Sequence, residues 1–365
     1  EYEAKSARPP QAATPPDPKF MVDFIGVPTG TADVSRGTVQ YMVEQEIPFP
    51  TKLVYGYRAE KRAAEAALAG HAATAQEIRR QVKRAYLDLW RVAKEEAIDR
   101  EALSIYRQSK GSSEEAYAAK KGPIADPVRA SVELGEIEGR LAVLGQQRIE
   151  AAANLSKLMA QPLDPSVRVA EPPHIQRVAG VDDLIAKARN ERPEIDEAAR
   201  MTESEGARLA VAKSQYAPDF TLRWGFMDNP AGTPNAWYGR AGVTLPLWSL
   251  SKQRFGVRES KAMLARAESV KEAQLLSTEA EVKGAHARFV AAKRGADIYG
   301  GTVVPRARLL LRSSQEAYKD NKGDFLGVVD AIRSLTNAEL MLVRSRVEAA
   351  QAEADIERAV GASLD

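Results

Sequence analysis

Few residues of this chain stand in patterns that could carry covalent or metal chemistry. His71, His174 and His286 occur singly, without the i, i+4 or mixed His/carboxylate spacing that a metal centre needs. The seven methionines are dispersed along the sequence and outline no dedicated metal relay. There is no cysteine, which removes disulfides and thiolate metal sites. No nucleophile motif, P-loop, G-x-G-x-x-G fingerprint or H-E-x-x-H pair is present. The prediction is a protein that is not an enzyme, with no catalytic residue, no cofactor and no resident metal.

The patterned residues are of another kind. Tyr41, Trp224, Trp237, Tyr238 and Trp248 lie in or beside segments of alternating polarity. Such rings suit a membrane–water interface, the alternative being cross-strand packing in a soluble sheet. Lys120-Lys121-Gly122-Pro123 and Asn321-Lys322-Gly323-Asp324 form two polar turns. Gly and Asn there reverse the chain because they tolerate positive φ. Asp126 and Asp330 follow these turns at the start of the next helix, where a carboxylate also suits the helix dipole.

The elements that must position these residues come in duplicate. Pro16-Asp17 recurs as Pro218-Asp219, Ile47-Pro48-Phe49-Pro50 as Leu245-Pro246-Leu247-Trp248, and Ser112 to Tyr117 as Ser313 to Tyr318, each about 200 residues on and in the same order. In each half a pair of strands shows period-two alternation: Lys19 to Gly26 with Thr38 to Ile47, then Phe220 to Phe226 with Trp237 to Leu245. Gly/Pro/Asn-rich loops, Val27 to Gly37 and Asp228 to Ala236, join each pair. Long stretches nearly free of breakers follow, Lys52 to Ala119 and Lys252 to Lys319, the second carrying several glycines and Pro305. Each predicts a helix on the order of 100 Å long.

The predicted organisation is a remnant of an N-terminal helix with a linker over 1–18, a first repeat over 19–160, a connector over 161–181 and a second repeat over 182–365. The first repeat holds a strand pair (19–47) and a helical hairpin (52–159). The second holds a helix (182–214, with a break at Pro193), a strand pair (219–247) and a hairpin (251–360). The N-terminus reads as the end of a polar helix cut from a longer precursor, broken by the Pro-rich stretch Arg8 to Pro18. Low aromatic content (6%) beside 28% charged residues fits long helices, and a net charge of +2 is too small for a nucleic-acid surface. No run of about 18 apolar residues predicts a membrane-spanning helix. Four strands with one lipid-type face cannot close a barrel, and hydrocarbon tolerates no open sheet edge. Three copies would supply twelve strands, an even number within the range of outer-membrane barrels.

Several motifs closely resemble the TolC family of outer-membrane efflux proteins over nearly the whole chain. Asn190-Glu191-Arg192-Pro193-Glu194-Ile195 resembles the family's helix-opening element, and Ala212 to Leu222 its helix-to-strand transition. Ala317-Tyr318 with Asp324 to Leu335 resembles its helical-tip motif. Gln45 to Leu53 is similar to the strand-to-helix element of members serving heavy-metal RND pumps (the CusC/CzcC-like branch). The resemblance implies a mainly α fold with a small β part: two duplicated halves, each a strand pair with a long helix hairpin, assembling as a homotrimer. That trimer would be a 12-stranded β-barrel continuing into an α-helical barrel.

The resemblance further implies a passive exit duct in the outer membrane of a Gram-negative bacterium, contacting outer-membrane lipid, with its helices in the periplasm. A periplasmic adaptor and an inner-membrane RND-type pump would be its partners, with metal cations or small toxic compounds as cargo and no nucleic acid. Lys120, Lys121, Gly122, Asn321, Lys322 and Gly323 become candidates for adaptor docking. The family's usual glycine is matched by Lys120 in one tip and Asn321 in the other. Asp330, Asp126 and Gly327 become pore or gate candidates. Asp330 falls where members often place a pore-facing carboxylate, and Gly327 where drug exporters often carry a second Asp. A ring of three carboxylates would favour cations. The competing readings are a periplasmic coiled-coil adaptor and a soluble helical scaffold.

Overall fold

The computed structural model describes residues 1–27, 36–171, 178–230, 232–320 and 322–364. The chain is mainly helical with one small antiparallel sheet, and it forms two compact units that cut across the sequence repeats. One comprises Glu1–Ala73 with Pro193–Leu276, the other Thr74–Arg192 with Ser277–Asp365. The long helices α3 (Pro50–Ala118) and α7 (Arg254–Ile298) contribute to both units.

The first unit contains the sheet. Strands β1 (Lys19–Ile25), β2 (Thr38–Ile47), β3 (Asp219–Asp228) and β4 (Ala236–Thr244) lie in that order, each antiparallel to the next. Two short helices, α1 (Tyr2–Ser6) and α2 (Arg8–Ala13), precede them. The proline-rich stretch therefore does not end helical structure at Arg8, as the sequence suggested. Pro9 and Pro10 occupy the first turn of α2, where a missing N–H costs nothing. The start of α3 packs against α6 (Pro193–Ser214), where Ser204 Oγ donates to the Ala59 carbonyl at 2.9 Å and alanines 59, 63, 66 and 69 are buried. Small side chains let these helices approach closely. The repeated Pro-Asp acquires a role here: Asp219 accepts from the Phe49 amide (2.8 Å) and from Lys52 Nζ (2.7 Å). This clamps the exit of β2 to the entry of β3.

The second unit is a helical bundle with α4 (Ala125–Met159), α5 (Val181–Glu191), α8 (Val304–Lys319) and α9 (Phe325–Val360) beside parts of α3 and α7. Its largest core cluster joins Tyr106, Ile137, Val304, Leu311, Phe325 and Ile332. A second joins Leu184, Val282, Phe289 and Ile356. Buried carboxylates on α3 meet arginines at helical spacing or from neighbouring helices. Glu95 pairs with Arg91 (3.0 Å) and Arg344 (3.1 Å), and Asp99 with Arg140 (3.2 Å). Such pairs carry a large penalty if one partner is removed, because the other is left buried and charged. The long second-half stretch is not one helix. A π-helical turn at Tyr299–Val303, containing Gly300 and Gly301, separates α7 from α8, and Pro305 opens α8. Pro305 lacks the N–H that an unbroken helix needs, and the wider turn accommodates its ring.

Candidate functional site

The sheet has one apolar and one polar face, and the register sets which residues share each. Phe20 stands opposite Val43, Val22 opposite Tyr41 and Phe24 opposite Val39. Tyr41 then meets Phe226, and Val43 meets Trp224. Phe226 meets Trp237, and Phe220 meets Val243. This face is uncovered within the chain: Phe20, Trp224 and Trp237 are 68%, 66% and 67% exposed. Trp237 packs against Trp224 and Phe226 with ring centroids 5.4 and 5.0 Å apart, which leaves the broad outer faces of the rings free. Neither β1 nor β4 has a second neighbour among the described residues, so both edges keep unpaired backbone groups.

Tyr41, Trp224 and Trp237 lie on this apolar face. Tyr238 does not: β-strand alternation turns it to the polar face, so it does not share a surface with the other three. Its ring lies over Gly225, whose added Cβ would come within 2.7 Å of the Tyr238 hydroxyl, and Arg240 stacks 5.4 Å from the ring centroid. The polar face also carries Gln40, Glu44 and Arg223, the last two ion-paired.

In the bundle, the two chain reversals close alike. The Lys121 amide donates to the Ala116 carbonyl and the Lys322 amide to the Ala317 carbonyl, both at 2.8 Å. At the first turn Lys120 occupies the left-handed position (φ 56°) of a Schellman cap, completed by its own amide to Tyr117. Gly122 and Gly323 sit over Ala116 and Ala317, where a Cβ would lie 3.5 and 3.1 Å from the alanine methyl. Asn321 lies outside the described residues. Lys120, Lys121, Lys322 and Gly323 are exposed and Gly122 is half-buried.

A cleft of about 790 Å³ separates the turns, lined among others by Asp126, Arg129, Tyr318, Asp324 and Phe325. Burial pushes the Asp126 carboxyl above the usual carboxylate range, with Asp324 adding to the effect and Arg129 opposing it. The Tyr318 hydroxyl is buried and faces the Asp126 carboxyl. Its pKa is raised by burial and then by Asp126. Asp324 caps α9 by accepting from the Gly327 amide at 3.0 Å. A Cβ on Gly327 would crowd that carboxylate at 3.1 Å, which gives the glycine a local reason beyond any pore role. Asp330 is exposed one turn further along α9, apart from this cleft.

No family model and no curated protein matches the sequence. Solved structures do match the fold. The outer-membrane channel OprN superposes with a TM-score of 0.80 at 19% identity, over 100% of this chain and 85% of its own. VceC, an outer membrane protein from Vibrio cholerae, gives 0.79 at 18% identity over 100% and 92%. CusC, whose structures concern folding and transmembrane channel formation, gives 0.82 at 14% identity over 99% and 87%. The chain has the TolC-type channel fold.

Within that channel fold the sequence-predicted residues separate into two groups. Tyr41, Trp224 and Trp237 gather on the sheet, while Lys120, Lys121, Gly122, Asp126, Lys322, Gly323, Gly327 and Asp330 gather around the two turns of the bundle. Tyr318 and Arg129, which line the cleft with Asp126, were not anticipated as site residues. The sequence signals for Tyr318 were its place in the duplicated Ala-Tyr mark and in the helical-tip resemblance. His71 is exposed and His286 half-buried, and His174 lies outside the described residues. Among the described residues no group of three or more His, Cys, Asp or Glu could hold a metal ion, and no helix is long and apolar enough to cross a membrane.

Proposed function

We propose that three copies of this chain form an outer-membrane exit duct, the passive last component of a tripartite efflux system. The observation that carries this reading is the sheet. Its aromatic face is uncovered and both its edges are open, which is intolerable in hydrocarbon for one copy but resolved when β4 of each copy pairs with β1 of the next. Trp224, Trp237 and Tyr41 then contact outer-membrane lipid, while the polar face with Gln40, Glu44 and Tyr238 lines the lumen. The bundle lies on the periplasmic side. Its turns, with Lys120, Lys121, Gly122, Asn321, Lys322 and Gly323, are the docking surface for a periplasmic adaptor that connects to an inner-membrane pump. The duct performs no reaction; energy and selection come from the pump. Asp330, and secondarily Asp126, contribute carboxylates to a cation-favouring constriction.

An adaptor reading is not favoured, since it calls for one hairpin flanked by barrel-like β domains. This chain has two hairpins and one continuous sheet built from both halves. The test is planar-bilayer conductance of the purified protein. Discrete, voltage-tolerant single-channel steps are expected; a protein that inserts without conducting, or remains monomeric in water without detergent, overturns the duct.

A further inference from the structure

We propose that where β4 of one copy meets β1 of the next, the strands pair in the register that sets Arg240 opposite Asp23, so that an ion pair between copies closes each seam. This rests on the exit-duct reading and assigns residues to its interface.

The register comes from the duplication. Asp17 corresponds to Asp219 and Ile47 to Leu245, so β1 maps onto β3 and β2 onto β4. One chain contains a check of this mapping. Phe20 opposite Val43 becomes Leu222 opposite Ala241, and Val22 opposite Tyr41 becomes Trp224 opposite Gly239. Both images are pairings that β3 and β4 make. The duplication has therefore kept the strand register as well as the sequence. The remaining ladder, β2 with β3, has no image within one copy. Its image joins β4 to a β1, and these strands are the two opposite edges of the sheet. They lie three strand spacings apart, about 14 Å, so the β1 must come from another copy.

Carrying the pairs of β2 and β3 across gives the seam. Val43 opposite Trp224 becomes Ala241 opposite Val22, and Tyr41 opposite Phe226 becomes Gly239 opposite Phe24. The apolar faces of the two strands then coincide, whereas a slip of one residue would turn one of them over. Met42 opposite Gly225 becomes Arg240 opposite Asp23. The ladder that supplies the register has no charges at this position, yet its image brings together two of opposite sign. Within one copy both residues are exposed, and neither has an ion-pair partner among the described residues. Arg240 stands opposite Arg223, whose charge is met by Glu44, and Asp23 stands opposite Gln40. Opposite charges directly across a ladder stabilise it and like charges oppose it. The seam thus supplies each residue with the partner that a single copy lacks.

The chain has no cysteine, so engineered pairs report the seam without background. The whole chain in detergent is oxidised with diamide after introducing Val22→Cys with Ala241→Cys, the directly opposed pair. Val22→Cys with Gly239→Cys, and Val22→Cys with Val243→Cys, report a slip of two residues either way. In the proposed register these two pairs are diagonal neighbours about 7–8 Å apart, too far for a disulfide. Covalent dimers and trimers on a denaturing gel are expected from the first variant and not from the other two. A particle of three copies that cross-links through a slipped pair, or through none, overturns the register and leaves the duct standing. A monomeric particle by light scattering overturns the duct and the seam with it. Charge reversal gives an independent reading. Asp23→Arg should lower the temperature at which the trimer dissociates, and Asp23→Arg with Arg240→Asp should restore it. Dissociation of Asp23→Arg at the wild-type temperature, or no recovery in the double variant, overturns the ion pair.

Discussion

At Lys120 the backbone takes a left-handed conformation that costs an L-residue with a Cβ about 1–2 kcal/mol, yet the Schellman hydrogen bonds around it are complete. Lys120→Gly should therefore stabilise the first turn by about 1 kcal/mol, read as slower hydrogen exchange of the Lys121 amide; faster exchange would contradict the cap. Asp330 is exposed on α9 and free of the cleft. If its three copies line a constriction, Asp330→Ala should weaken block by divalent cations by about fivefold or more, measured on single channels. Unchanged block would remove Asp330 from the pore. At this scale the sequence was readable only where chemistry is local. Gly122 and Gly323 were recognisable as turn residues, although Lys120, and neither of these glycines, takes the positive φ. By contrast, Tyr318 near Asp126 and Met227 opposite Gln40 are meetings of residues about 190 positions apart, which nothing in local spacing reveals. Tyr238 shows the converse: its type suggested a membrane surface, and strand alternation alone put it on the other face.

The elements were more legible, because helix and strand periods are written locally. The strand over Thr38–Ile47 has the predicted bounds, its alternation interrupted only by Met42 on the polar face and Gln45 on the apolar one. The division of the second long helix was not apparent in the same way. Gly300, Gly301 and Pro305 marked a weak place, but whether a proline kinks, ends or widens a helix depends on the packing around it. Charge pairing within α3, with help from α9, gives the bundle a definite acid response. Arg80, helped by Gln81 and Arg358, holds the Glu77 carboxyl down to about 2. A depressed carboxyl contributes stability that is complete above its unfolded pKa, near 4.5, and fades as pH falls toward about 2. The bundle should accordingly lose helical signal across that window, and Glu77→Gln should remove on the order of 2 kcal/mol of the pH dependence. A variant with the wild-type acid profile would show that Glu77 is not a principal contributor.

At the scale of the whole molecule, one chain cannot satisfy its own sheet. Its sheet has a face rich in exposed aromatic and β-branched side chains and two edges without neighbours among the described residues. Water penalises the first and hydrocarbon the second. Assembly into a shared barrel, as proposed above, would remove both. Counting strands and noting their alternation was enough to raise the need for several copies. The measurement that tests this most directly is the mass of the purified protein in detergent, by light scattering corrected for bound detergent. Three copies per particle, with aggregation when detergent is withdrawn, is the result a shared barrel predicts; a stable monomer or dimer in plain buffer would contradict it.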